Sequence, residues 1–202
     1  MSNLRLGVLA SGRGSNLQAI MDAITAGRLP AEVAVVISDN PRAHALERAR
    51  GAGIPALAVE PARFHDKREY EQAVVDALRE HRVELVCLAG YMRLVGETML
   101  AAYPDRIMNI HPALLPAFPG LHAQRQAWEY GVRYSGCTVH FVDAGMDTGP
   151  IILQAVVPVL PEDTADTLAG RILEQEHRIY PEAVALYAAG RLEIRGRRVF
   201  IR

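Results

Sequence analysis

The sequence predicts an α/β fold: a single domain with a mostly parallel, Rossmann-like sheet and helices on both faces. Two observations predict this fold. Apolar runs alternate with amphipathic stretches of ten or more residues through the first half of the chain, and a glycine-rich turn directly follows the first apolar run. Such alternation is typical of β-α-β units, which form parallel sheets. With 202 residues, half of them hydrophobic, the chain can bury a core without disulfides or a structural metal.

The elements are predicted in order from their apolar periodicity. In the first half we expect strands at 4–10, 33–37, 54–59 and 85–89, with helices beginning near Leu17 and spanning 43–50 and 66–81. In the second half we expect strands at 107–110, 138–142 and 151–159, a helix over 164–189 that Pro181 kinks or breaks, and two short strands within 192–201. No repeat or linker divides the chain, so we expect one domain over 1–202.

Composition excludes several classes of protein. The 22 basic and 23 acidic side chains give a net charge of −1, without the basic excess that nucleic-acid binding needs. No apolar run approaches the ~20 residues of a membrane span, and the N-terminus lacks a signal-peptide core, so we expect a cytoplasmic protein. Two cysteines, Cys87 and Cys137, cannot form a disulfide framework or a C-x-x-C site. His122 and His140 lack metal-ligand spacing, and we expect no metal.

The glycine-rich turn SGRGSN at 11–16 lies where a strand ends and a helix begins. Free backbone N–H groups and the helix dipole favour an anion at such a place. Leu17 occupies the third glycine position of the dinucleotide fingerprint G-x-G-x-x-G, which disfavours a dinucleotide although Asp39 could imitate its ribose-binding acid. A single phosphate, with donors from Ser15 and Asn16, fits better. The alternative is a tight turn in which Ser or Asn caps the helix.

Asn109 and His111 lie at the end of a predicted strand, where open α/β sheets bind ligands. Strand alternation puts both on one side, where an amide and an imidazole could polarise a carbonyl group and handle a proton. A structural histidine before proline is the alternative.

Asp143 and Asp147 flank Gly145 in a turn-rich loop and could merely cap turns. Asp147 gains a role if it faces His111, because a carboxylate would raise the pKa of the imidazole and orient it.

Several segments together resemble the phosphoribosylglycinamide formyltransferase family over essentially the whole chain. They are SGRGSNLQAI at 11–20, LAGYMRL at 88–94, MNIHPALLPAFPGLHAQRQA at 108–127, CTVHFVDAGMDTGPIILQ at 137–154 and EQEHRIYPEA at 174–183. The resemblance implies a one-carbon transferase of purine (IMP) biosynthesis with the formyltransferase fold. Such an enzyme moves the formyl group of 10-formyltetrahydrofolate to the amine of glycinamide ribonucleotide, without metal or covalent enzyme intermediate. It further implies a phosphate-binding half at 1–100 and a folate-binding, catalytic half at 101–202.

The resemblance also implies residue roles. Asn109 would hold the formyl oxygen, protonated His111 would stabilise the oxyanion, and Asp147 would pair with His111 and help to move the proton. Implied ligand contacts are Gly14, Ser15 and Asn16 for the phosphate, Glu176 for the ribose, and Lys67 or Arg68, Met92, Arg93, Leu94, Val95, Asn109, Asp143, Ala144 and Asp147 for the folate. The implied partners are these two small molecules, in a monomer or a homodimer.

The sequence differs from some members of the family at three positions, and alternative functions remain open. Ala113 and Cys137 stand where some relatives have serine and threonine, and Gln124 where some have a second histidine. Methionyl-tRNA formyltransferase and formyltetrahydrofolate hydrolase share the Asn-x-His and Asp core, but each carries a further domain for which we expect no room in 202 residues. A non-catalytic phosphate- or nucleotide-binding module is the remaining alternative.

Overall fold

The structure is a computed structural model that describes residues 3–202. The chain separates into two compact units, one ending at Met108 and the other comprising Asn109–Arg202. The predicted α/β class is confirmed: within the described residues, helices alternate with strands, and parallel strand pairs outnumber antiparallel ones. None of the helices in residues 3–202 is long and apolar enough to cross a membrane.

The first unit is a parallel sheet with β-α-β connections. Its elements are β1 (Leu4–Leu9), α1 (Ser15–Thr25), β2 (Ala31–Ser38), α2 (His44–Gly51), β3 (Ala56–Ala58), a 3₁₀ helix (Pro61–Arg63), α3 (Lys67–Glu80), β4 (Leu85–Leu88) and α4 (Glu97–Ala102). The strands lie in the order β3-β2-β1-β4, and Leu9 at the end of β1 is in register with Ile37 and Leu88. The carboxyl ends of these strands therefore meet at one edge, where the turn at 11–14 and the segment after β4 also lie.

The first core is formed by the strands and the inner faces of the helices. Leu6 and Val8 of β1 and Leu78 of α3 are fully buried. A Cβ atom on Gly7 would come within 2.4 Å of Leu78, so the glycine lets α3 approach β1 closely. Burying each large apolar side chain contributes about 1.5–3 kcal/mol. This packing holds the strand ends, and the loops that follow them, in place.

The second unit is built around antiparallel hairpins. Strand β5 (Ile107–His111) crosses the boundary between the units along the chain, and α5 (Ala123–Tyr130), β6 (Tyr134–Phe141), β7 (Ile151–Pro158), α6 (Ala165–Ala188), β8 (Leu192–Arg195) and β9 (Arg198–Ile201) follow. Strands β6 and β7 pair antiparallel, β9 joins β7 in parallel at Ile151 and Arg198, and β8 pairs antiparallel with β9. The loop between β6 and β7 carries Asp143 and Asp147.

One prediction of local structure needs correction, and two short helices were not predicted. Pro181 does not break α6, which continues to Ala188. Proline removes one backbone hydrogen bond, but Tyr180, Pro181 and Ala183 are all buried, and this packing maintains the helix. Helices α4 and α5 have no counterpart in the prediction, because they are six and eight residues long and too short for a clear period.

Candidate active site

The structure brings Asn109, His111 and Asp147 into one cluster. Nδ1 of His111 lies 3.4 Å from Oδ2 of Asp147. Oδ1 of Asp147 lies 3.7 Å from Nε2 of His140, which is itself 3.2 Å from Nδ2 of Asn109. The side chains of His111 and His140 are 5% and 2% exposed, and that of Asp147 is 13% exposed. Four polar side chains therefore share one largely buried site, as strand alternation predicts for Asn109 and His111.

His111 has an acceptor at each ring nitrogen. Nε2 lies 2.8 Å from the carbonyl oxygen of Phe118, and Nδ1 faces the Asp147 carboxylate. A neutral imidazole has one N–H group and can satisfy one acceptor, whereas the protonated ring satisfies both. The surroundings of His111 therefore favour the arrival of a second proton, although its burial opposes it.

Burial has the largest effect on the protonation of His111. Burial lowers the pKa of His111, and this effect outweighs the negative charge of Asp147 and the Phe118 carbonyl, both of which raise the pKa. Asp147 thus acts in the predicted direction, but its charge does not lift the pKa of His111 above the ordinary value, as a ring protonated at neutral pH would require. Burial alone would raise the pKa of Asp147, but contacts with His140, the Gly120 N–H group and His111 hold it below its ordinary value. The carboxylate is therefore ionised at neutral pH.

The loop between β6 and β7 gives Asp147 its position. Asp147 has φ +55°, and its Oδ2 accepts a hydrogen bond of 2.8 Å from the Gly120 N–H group. Oδ1 of Asp143 accepts hydrogen bonds from the Gly145 N–H group at 3.1 Å and the Thr148 hydroxyl at 2.6 Å. Asp143 therefore stabilises the turn, whereas Asp147 belongs to the cluster. Ala144, the other implied folate contact in this loop, is exposed.

His140 is the member of the cluster that sequence reasoning missed. Its Nδ1 donates to the carbonyl oxygen of Phe141 at 2.8 Å, so in the neutral ring Nε2 is an acceptor. In the neutral ring Nε2 can therefore accept a hydrogen of the Asn109 amide, which orients that side chain, and in the protonated ring it can donate towards Asp147. The sequence places this histidine inside a predicted strand, shortly before the loop that carries Asp147, and that position could have indicated a role beside Asp147. From sequence, His140 was considered only as a possible metal ligand.

A second hydrogen-bond network fixes the chain beyond His111. The hydroxyl of Thr138 donates to the Ala113 carbonyl at 2.7 Å and accepts from the Leu115 N–H group at 3.1 Å. The Gln154 side-chain amide donates to the Leu115 carbonyl and to the Thr138 hydroxyl, both at 3.0 Å. Two strands thus hold the segment that leads to Phe118, the hydrogen-bond partner of His111.

The glycine turn of the first unit has the geometry of an anion site. Helix α1 begins at Ser15 after Gly14, which has φ +70° and no capping side chain. The alternative in which Ser or Asn caps this helix is therefore wrong. A Cβ atom at Gly14 would lie 2.8 Å from the backbone of Ala45. Among residues 3–202, the backbone N–H groups of Gly14 and Ser15 have no acceptor, while Asn16 is buried.

The segment 91–95 after β4 exposes both apolar side chains and backbone donors. Met92 and Leu94 are 63% and 59% exposed. Within the described part of the chain, the backbone N–H groups of Arg93, Leu94 and Val95 donate to no protein acceptor. The Arg93 guanidinium carbon lies 5.1 Å from the centre of the Tyr70 ring. This combination of apolar surface and free amides can receive a flat heterocycle and its polar edge.

The remaining predicted residues lie on helices. Lys67 and Arg68 open α3, with the ammonium group of Lys67 3.7 Å from the carboxylate of buried Glu71 and Arg68 exposed. Glu176 is buried in α6.

Burial, together with the charge of Glu176, raises the pKa of the Cys137 thiol to about 12, so this cysteine is no nucleophile at neutral pH. Within residues 3–202, no group of three or more His, Cys, Asp or Glu side chains is arranged to hold a metal ion.

Comparisons with known proteins identify the family of the chain. The formyl transferase family profile matches residues 4–184. The phosphoribosylglycinamide formyltransferase of Bacillus subtilis is 47% identical over 89% of this chain and 92% of its own. The Drosophila melanogaster trifunctional purine biosynthetic protein adenosine-3 is also 47% identical, over 92% of this chain but 14% of its own length. The crystal structure of glycinamide ribonucleotide transformylase 1 from Symbiobacterium toebii has a TM-score of 0.97 at 60% identity, over 99% of this chain and 94% of that one.

Proposed function

Because the chain belongs to the phosphoribosylglycinamide formyltransferase family, we propose that it transfers the formyl group of 10-formyltetrahydrofolate to the amine of glycinamide ribonucleotide in purine biosynthesis. The observation that carries this proposal is the buried cluster of Asn109, His111, His140 and Asp147. It combines an amide donor, an imidazole and an ionised carboxylate, which together suit acyl transfer to an amine.

The proposed reaction is a direct transfer in two steps. The amine nitrogen of the acceptor attacks the formyl carbon, and the carbonyl electron pair moves onto oxygen to give a tetrahedral oxyanion. The attacking nitrogen then loses a proton, the bond from carbon to N10 of the folate breaks, and N10 takes up a proton. The carbonyl group reforms, leaving formylated glycinamide ribonucleotide and tetrahydrofolate. No covalent bond to the enzyme is needed.

The cluster supplies what this sequence of steps requires. Asn109 makes one side-chain hydrogen bond among the described residues, to His140, so a further N–H of its amide is free to hold the formyl oxygen. A negative charge developing on that oxygen would raise the pKa of His111 and offset the effect of burial, so the ring would accept its second proton as the oxyanion forms. Asp147 would stabilise the imidazolium and take part in moving the proton between the two nitrogens.

The two ligand-binding segments of the first unit complete the proposal. The free amides of Gly14 and Ser15, at the positive end of α1, would bind the phosphate of the acceptor. The pterin ring would lie against Met92 and Leu94, with its edge on the free amides of residues 93–95. For Lys67, Arg68 and Glu176 the roles in binding folate and ribose come from the family resemblance, and burial of Glu176 makes it the least accessible of these.

An assay of folate release tests the proposal. The protein is mixed with 10-formyltetrahydrofolate, and the absorbance change of tetrahydrofolate formation is followed with and without glycinamide ribonucleotide. We expect release that depends on the acceptor, and a loss of at least about 10²-fold in kcat for Asn109→Ala, the scale of a lost oxyanion donor. Asn40→Ala is the matched control, since Asn40 is an exposed asparagine of the first unit.

The assay also separates the rival functions. Release at the same rate without acceptor would make the protein a hydrolase and overturn the proposal. Binding of glycinamide ribonucleotide with no release under either condition would favour the non-catalytic binding module.

A further inference from the structure

The glycine turn and the 91–95 segment are joined at the carboxyl edge of the first sheet. The parallel pairing of β1 and β4 continues past both strands, first through the Ala89 N–H group, which donates to the Leu9 carbonyl at 2.8 Å. The Ser11 N–H group then donates to the Gly90 carbonyl at 3.1 Å. Finally, the hydroxyl oxygen of Ser11 accepts a hydrogen bond of 2.9 Å from the Met92 N–H group. Ser11 thus belongs to one loop and supports the other.

The 91–95 segment is anchored at its ends as well. Glu71 is 3% exposed, and its carboxylate accepts a 2.6 Å hydrogen bond from the Gly96 N–H group. A Cβ atom at Gly96 would lie 2.8 Å from both carboxylate oxygens, so the backbone and the carboxylate are in close contact. The hydroxyl groups of Tyr91 and Tyr70 are 2.5 Å apart. Between these anchors, the Ser11 hydroxyl fixes the peptide group that precedes the free amides of 93–95.

We propose that Ser11 is a positioning residue that couples the binding of the two substrates. This inference rests on the proposed function, in which the amides of Gly14 and Ser15 bind phosphate and the 92–95 segment binds the folate. A phosphate on the amides of Gly14 and Ser15 restrains the turn three residues after Ser11 and so restrains the acceptor of the Met92 hydrogen bond. A folate on 92–95 restrains the donor of the same bond. Each ligand therefore reduces the conformational entropy that the protein loses when the other ligand binds. Thermodynamic linkage makes this effect reciprocal.

The size of the coupling follows from the bond that carries it. One hydrogen bond between neutral groups is worth about two- to twelvefold in an equilibrium constant. We therefore expect glycinamide ribonucleotide to tighten folate binding by a factor of about three to ten.

Calorimetric titration measures this factor without turnover. Tetrahydrofolate, which carries no formyl group, is titrated into the full-length protein with and without saturating glycinamide ribonucleotide. In the wild type the Kd for tetrahydrofolate should fall by the factor given above. Ser11→Ala removes the hydroxyl acceptor and should bring the factor below about twofold, while each ligand alone binds within about threefold of wild type. Ser11→Thr keeps the hydroxyl group and should restore the coupling.

Ser38→Ala is the matched control. The Ser38 hydroxyl also accepts a backbone hydrogen bond at the end of a strand, from the Asn40 N–H group at 3.1 Å. Its loss should leave the coupling factor unchanged. Two binding ligands without coupling in the wild type, or full coupling in Ser11→Ala, would overturn the inference and leave the proposed function standing. A wild-type protein that binds neither ligand would instead overturn the proposed function.

Discussion

The first unit offers ligands its backbone, whereas the second concentrates ionisable side chains. In the first unit the free groups are amides at Gly14, Ser15 and 93–95, displayed by a left-handed glycine and an anchored segment. In the second unit the Asp147 carboxylate lies within 4 Å of both His111 and His140, and all three side chains are largely buried. Backbone donors are retained in every substitution except one to proline, but they are displaced when a loop moves. Side-chain groups can be removed singly, and burial makes each removal costly.

This difference separates the expected effects of mutations. Changes in the second unit should affect kcat and its pH dependence, because they alter groups that carry charge in the reaction. Changes in the first unit should affect dissociation constants, because they move a surface that binds. Four substitutions, taken from the largest expected effect to the smallest, test this separation.

Asp147→Asn should lower kcat by at least about 10²-fold, the scale of a lost acid–base or oxyanion contribution. Asparagine tolerates the left-handed backbone at φ +55°, so the loop should keep its shape. The Asp147 charge raises the pKa of His111, and its removal lowers that pKa further. A kcat–pH profile that falls as His111 loses its proton should therefore move its basic limb to lower pH.

The matched control is Asp105→Asn, since Asp105 also has positive φ, 54°, and is exposed. Its kinetics should equal those of the wild type. The double variant with His111→Ala should cost little more than the worse single variant, because groups that act as a unit are not additive. Strictly additive losses, or an unmoved pH profile, would return Asp147 to the role of a turn residue.

Gly14→Ala should raise the Kd for glycinamide ribonucleotide by tenfold or more. Alanine at φ +70° costs about 1–2 kcal/mol of folding free energy, and its Cβ would lie 2.8 Å from the Ala45 backbone, which forces the turn to move. Gly53→Ala is the control, with φ +71° but open space around the new Cβ. Denaturant unfolding should show a loss in both variants, and calorimetry should show weaker acceptor binding in Gly14→Ala alone. Equal binding by the two variants would contradict the phosphate assignment.

Val95→Glu should raise the Kd for tetrahydrofolate about fivefold, because a charge beside an apolar ring loses hydration when the ring binds. The Kd for the acceptor should change by less than about twofold, within what coupling through one hydrogen bond can transmit. Val156→Glu, at a position 60% exposed in β7, provides a control for the added charge. If titrations show the opposite order of effects, the two ligand segments have been interchanged.

Arg197→Ala should give the smallest effect, a two- to threefold lower kcat. The Arg197 guanidinium lies in the turn between β8 and β9 and donates to the Thr148 carbonyl at 2.8 Å, next to Asp147. One exposed hydrogen bond of this kind contributes at most about 1 kcal/mol. Arg195→Ala is the control, because Arg195 pairs with Glu193 of its own hairpin instead. A kcat unchanged in Arg197→Ala would show that the loop needs no support from this hairpin.

Local chemistry allowed much of the molecule to be predicted from sequence. The glycine turn after an apolar run predicts a strand end, a helix start and an anion site, because these depend on residues within one short window. The placement of Asn109 and His111 on one side of β5 follows from strand alternation. Long periodic helices such as α3 were predicted to within a residue or two of their ends.

Three features were decided by tertiary structure, because they depend on residues far apart in the chain. His140 joins the cluster only because β6 brings it to Asn109, 31 residues away in sequence. The direction of the His111 pKa shift comes from burial by the whole unit, which outweighs the opposing charge of Asp147. The hydrogen bond from Met92 to Ser11 joins residues 81 apart, which lie together because β1 and β4 are neighbours in the sheet.

Sequence by itself determined which residue types were available and on which face of an element they lie. Which of them meet, and how far water is excluded around them, depended on long-range packing that no local pattern records.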